Sequence, residues 1–116
     1  MGKPTKETRI KNELSRITVF FENIAANKKA ILAPLLQNAA FMKVTLEDLQ
    51  ETINAEGATD YYQNGENQKG YKPSATLQSY NSLMKNYTAV ITAVTKHLPE
   101  ESGSSLLEQM KERLGD

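Results

Sequence analysis

The chain has 116 residues, no cysteine, no tryptophan, one histidine, and 14 Lys/Arg against 14 Asp/Glu. That length fits one domain, and the lack of cysteine excludes disulfides, thiolate metal sites and a cysteine nucleophile. An apolar fraction of 39% with only three Phe is thin for a compact monomer, so another chain is expected to complete part of an apolar face.

The first periodic segment is Lys6–Ile24, where Ile10, Leu14, Ile17, Phe21 and Ile24 recur at steps of 4, 3, 4 and 3, which is one stripe of a helix. Thr5 is placed to cap it, Phe20 widens the stripe, and Ala25–Lys29 reads as a break. In the second segment Ile31, Leu35, Ala39, Met42, Leu46, Leu49 and Ile53 hold one face, predicting a helix from about Lys28 to Glu56. Pro34 predicts a kink, or a late start at Ala33 that would leave proline at the first helical position. Gly57 is the stop.

Residues 58–73 read ATDYYQNGENQKGYKP. Asn64-Gly65 is a hairpin signal, because both positions tolerate positive φ; with flanks Asp60–Gln63 and Glu66–Lys69 the stretch predicts a small β-hairpin or a long polar loop. Ser74 caps a third helix, whose Leu77, Tyr80, Met84, Tyr87, Ile91, Val94 and Leu98 form a heptad-like seam. Pro99 stops it. Glu100–Ser105 reads as a linker. Leu106, Leu107, Met110 and Leu114 then make a short amphipathic helix, too short to hold alone and suited to docking on a partner or on the chain's own core.

These elements predict an all-α fold: a long antiparallel helical hairpin with an additional N-terminal helix, a small β-hairpin or loop at its tip, and a short C-terminal helix. Residues 1–99 form the expected helical domain and residues 100–116 a linker and tail. The charged N-terminus, followed by no apolar run, predicts no signal peptide. No segment approaches the ~20 apolar residues of a membrane span. The expected setting is the cytoplasm, with no membrane partner.

Chemistry is sparse. His97, the only histidine, falls in the last turn of the third helix, where an imidazolium suits the dipole's negative end. Glu47 and Glu51, one turn apart, could chelate a divalent ion, but with Asp48 they read more readily as a solvated helix face. No G-K-[ST] phosphate loop is present. The expected protein is therefore not an enzyme and has neither cofactor nor metal.

Charge is unevenly spread. Residues 1–30 carry seven cations (Lys3, Lys6, Arg9, Lys11, Arg16, Lys28 and Lys29) against three Glu, while residues 99–116 carry two cations against five acids. Arg9 and Arg16 share one flank of the first helix, an arrangement that can meet phosphates or form an ordinary solvated surface. A basic head and an acidic tail equally permit pairing between identical chains. The loop from Tyr61 to Tyr71 combines three Tyr with several amides. It suits bases or a groove, a protein contact, or a cap on the helical hairpin.

Three pieces lie in order within Leu36–Pro99: Asn38-Ala39-Ala40-Phe41-Met42-Lys43-Val44-Thr45-Leu46-Glu47-Asp48-Leu49, Tyr62-Gln63-Asn64-Gly65-Glu66-Asn67-Gln68, and Ser79-Tyr80-Asn81-Ser82-Leu83-Met84-Lys85-Asn86-Tyr87. With the final Leu98-Pro99, this stretch resembles the small terminase subunit of tailed bacteriophages that infect Gram-positive hosts. The resemblance implies a non-catalytic, ring-forming factor in the cytoplasm of an infected bacterium. Such a factor recognises double-stranded viral DNA and regulates the large terminase subunit, which carries the ATPase and nuclease. Many small terminases begin with a helix-turn-helix; here the short glycine-containing turn is missing, so the seven N-terminal cations are the expected DNA contacts. The expected oligomer interface is Leu77, Tyr80, Met84, Tyr87 and Ile91, and the expected docking tail is Leu106, Leu107, Met110 and Leu114. The alternative is a helical oligomerisation adaptor that never touches DNA.

Overall fold

A computed structural model describes residues 4–98 together with Glu108 and Gln109. The protein is mainly α-helical, with three helices and one two-stranded antiparallel sheet among the described residues.

Helix α1 spans Lys6–Thr18, and the Thr5 hydroxyl accepts from the Thr8 amide at its start. It is shorter than the apolar stripe predicts. Thr18 turns its hydroxyl back onto the Leu14 carbonyl at 2.6 Å, and a 3₁₀ turn over Val19–Phe21 follows. Thr18-Val19-Phe20-Phe21 is a run of β-branched and aromatic residues that favour an α-helix little, and the tighter turn carries Phe21 into the core, 2% exposed.

Helix α2 runs over Ala26–Glu56 with Pro34 inside it, so the late start at Ala33 does not occur. The missing N–H deprives the carbonyl of Ala30, and both residues are exposed, which lets water take the place of the lost donor. Gly57 ends the helix at φ 90°, donating its N–H to the Ile53 carbonyl at 2.7 Å. That left-handed conformation is why glycine stands there.

The buried face of α2 also differs from expectation. Ala39 and Leu46 are buried as their spacing predicts, but Ile31, placed on the same stripe, is 70% exposed, and Leu32, Leu36 and Lys43, each one residue past a stripe position, are buried. The core stripe lies about one residue further along because α2 packs against both α1 and α3. A helix with neighbours on two sides buries a broad sector, and a single narrow stripe no longer marks its centre. Ala39 and Ala40, both fully buried, are small enough to let neighbours approach closely.

Strands β1 (Thr59–Gln63) and β2 (Lys69–Pro73) pair with Tyr61 opposite Tyr71 and Gln63 opposite Lys69. The connection is the loop Asn64–Gln68, closed by the Asn64 amide on the Gln68 carbonyl at 2.5 Å, with Gly65 at φ 90°. A two-residue turn at Asn64-Gly65 is thus replaced by a longer loop, and the second strand begins at Lys69 instead of Glu66.

Helix α3 covers Ala75–Thr95. Buried Ser74 accepts from the Leu77 amide through its hydroxyl and donates its own N–H to the Ala58 carbonyl at 2.9 Å. Along the seam, Leu77, Tyr80 and Met84 are half-buried, while Tyr87, Ile91, Val94 and Leu98 are buried. These last four join Ile17, Phe21, Leu32, Leu36, Ala39, Ala40 and Leu46 in one core. Lys3, Pro99, the linker, and Leu106, Leu107, Met110 and Leu114 of the tail lie outside the described residues.

Candidate nucleic-acid interface

The cations expected to meet DNA fall into two groups. The first is engaged within the chain. Arg9 on α1 donates through Nη1 to Asp48 Oδ1 on α2 at 2.7 Å, and Nη2 reaches Glu47 Oε1 at 3.4 Å. Hydrogen bonding to Asp48, opposed by partial desolvation, raises the guanidinium pKa above its ordinary value. Lys6 lies 3.9 Å from Asp48 Oδ2, and its ammonium sits 4.9 Å from the centre of the Phe41 ring, a favourable cation–π placement.

One turn before Glu47 lies Lys43, only 2% exposed, with Nζ 3.1 Å from Glu47 Oε2. Both oxygens of Glu47 are therefore occupied by cations, and the Glu47–Glu51 pair is poorly suited to a divalent ion. Among the described residues no group of three or more His, Cys, Asp or Glu gathers as a metal site.

Arg16 is held at the other end of α1. Its Nε and Nη2 grip both oxygens of Glu13 at 2.9 and 2.6 Å, and Nη1 donates to Gln109 Oε1 at 2.8 Å. The hydrogen bond to Glu13, opposed by desolvation, raises this guanidinium's pKa as well. Bidentate geometry of this kind is strong, and Glu13 is 8% exposed.

The second group stays on the surface. Lys11 lies 3.9 Å from Glu7 with both side chains well exposed, a pair that holds the lysine weakly. Lys28 and Lys29 stand exposed in the first turn of α2, where a cation opposes the helix dipole. Lys29 also borders an apolar cleft of about 290 Å³ that includes Leu14, Phe21, Leu32 and Leu36. His97 is exposed just past α3, its backbone N–H donating to the Val94 carbonyl.

The expected oligomer interface divides similarly. Tyr87 and Ile91 are 2% and 1% exposed, because they serve the chain's own core. Leu77, Tyr80 and Met84 keep partly open surface. Spacing marks the whole seam as apolar but does not say which half a neighbouring helix of the same chain covers.

On the ribbon, Tyr61 and Tyr71 are 56% and 74% exposed and meet edge to face, ring centres 5.6 Å apart. Tyr62, on the opposite face, lies over Gly70, with its Cε1 and hydroxyl oxygen each 3.7 Å from where a Cβ would stand.

Compared with models of known protein families, with curated proteins and with solved structures, the chain matches none.

Proposed function

We propose that this chain is a non-catalytic DNA-packaging subunit of the small-terminase kind, which assembles as a ring, binds double-stranded viral DNA and regulates a large terminase subunit in an infected bacterium. The reading starts from the resemblance of the three pieces between Asn38 and Tyr87. The observation that carries it is an elongated body, 63 × 36 × 24 Å, that leaves Val19, Ile31 and Phe41 exposed at 59, 70 and 48%. Large apolar side chains open on a body of this shape suit contacts between copies.

Within that reading α2 and α3 form a long antiparallel hairpin tipped by the β-ribbon, a view supported by the Ser74–Ala58 bond that joins their ends. Leu77, Tyr80 and Met84 remain the interface candidates on α3. Lys11, Lys28 and Lys29 take the larger part in phosphate contact, since Arg9 and Arg16 are already neutralised.

The test is fluorescence anisotropy of a labelled duplex across a salt series. Binding that weakens with a log–log slope of about −0.9 per phosphate contacted supports the reading. No binding at low salt contradicts it. The internal neutralisation of Arg9 and Arg16 favours the second reading, an oligomeric adaptor without DNA; protein that purifies as an oligomer free of nucleic-acid absorbance would support that one.

A further inference from the structure

We propose that the β1–β2 ribbon enters the major groove of duplex DNA, setting the carboxamides of Gln63, Asn67 and Gln68 against base edges and Lys69 against phosphate. This rests on the DNA-packaging reading and adds to it the element that reads sequence.

The ribbon has no evident structural duty. Its strands pair with each other, and among the described residues no helix packs along either one. A lone two-stranded ribbon is marginal in water, yet this one leaves Tyr61 and Tyr71 largely exposed. Their edge-to-face contact stiffens it, and the Ser74–Ala58 bond fixes its base to the helices.

Register sorts the side chains. Residues directly opposite share a face, so Tyr61, Tyr71, Gln63 and Lys69 lie together, while Asp60 lies opposite Lys72 on the other face. The aromatic face therefore carries a cation and no carboxylate, which complements phosphate. Glu66 is in the loop at the apex. Gln63, Asn67 and Gln68 are exposed there. The Gln63 oxygen meets the Tyr61 hydroxyl only at 3.5 Å, leaving its amide nitrogen available.

The dimensions fit. Strands stand roughly 4.8 Å apart, and a two-stranded ribbon fits a major groove roughly 12 Å wide, where Asn and Gln pair with the adenine edge.

The test uses the full chain and two duplex pools with a randomised core, one enriched by rounds of binding to the wild-type protein and one not. Wild type should prefer the enriched pool by about tenfold or more. Asn67→Ala with Gln68→Ala should reduce that preference by about fivefold or more, leaving affinity for the unenriched pool within about twofold. Lys69→Gln should weaken binding to both pools and lower the salt slope by about one. Ring-current-shifted Tyr61 and Tyr71 proton signals report whether the ribbon survives each change.

An unchanged preference in the double variant, with those signals intact, overturns the proposal. So does a change in assembly mass without a change in preference, which assigns the ribbon to a protein contact. A wild-type protein that binds DNA but enriches nothing also overturns it, while leaving the packaging reading in place. Binding to neither pool overturns both.

Discussion

Arg9 and Asp48, 39 residues apart, meet at 2.7 Å and tie α1 to the C-terminal half of α2. The pair is partly open, with side chains 31 and 38% exposed, so solvent screens it and its net worth is about 1 kcal/mol or less. Asp48→Asn should lower stability by that much in urea unfolding. Arg9→Glu should cost more than Arg9→Gln, because it sets a third carboxylate beside Glu47 and Asp48. A charge reversal no worse than the neutral change would show that the contact does not hold α1 in solution.

Lys43 and Glu47 should respond asymmetrically. Removing the carboxylate strands a buried ammonium, whereas removing the ammonium leaves a carboxylate that still has Arg9 and water. Glu47→Gln is therefore expected to cost about 1–2 kcal/mol, and Lys43→Met to be close to neutral or stabilising. Chemical denaturation of the two variants gives the comparison, and the reverse order would refute the assignment of Lys43 to the interior.

Pro34→Ala should stabilise the protein by about 1–3 kcal/mol, since it restores a donor to the Ala30 carbonyl within an exposed stretch of α2. A loss of stability would mean that the proline ring is held by packing.

Core and surface isoleucines should separate cleanly. Ile91→Ala opens a cavity among fully buried neighbours and should cost about 2–5 kcal/mol. Ile31→Ser should leave monomer stability within about 0.5 kcal/mol; on the assembly reading it shifts the mass in solution instead. Thermal melts and light scattering on the same samples distinguish the two effects.

Helix positions and both side-chain caps are legible in the sequence because they depend on local chemistry: Thr5 and Ser74 each sit beside the amides they satisfy. The β-ribbon is one of the two readings that the sequence leaves open for residues 58–73, and its register is not legible, since Asn64-Gly65 signals a tighter turn than the five-residue loop Asn64–Gln68. Pairings across the chain leave no local trace. Glu47 and Asp48 read as a solvated face because nothing near them in sequence points to Arg9 on α1. Ile31 misleads for a related reason: periodicity finds an apolar stripe, but the position of α1 and α3 decides which flank of α2 is covered.

The most direct test of a ring-forming subunit is the mass of the full chain in solution, by light scattering on a size-exclusion column at moderate salt across a range of concentrations. The account predicts a single closed oligomer of several copies whose mass does not change on dilution. A clean monomer at every concentration would contradict it.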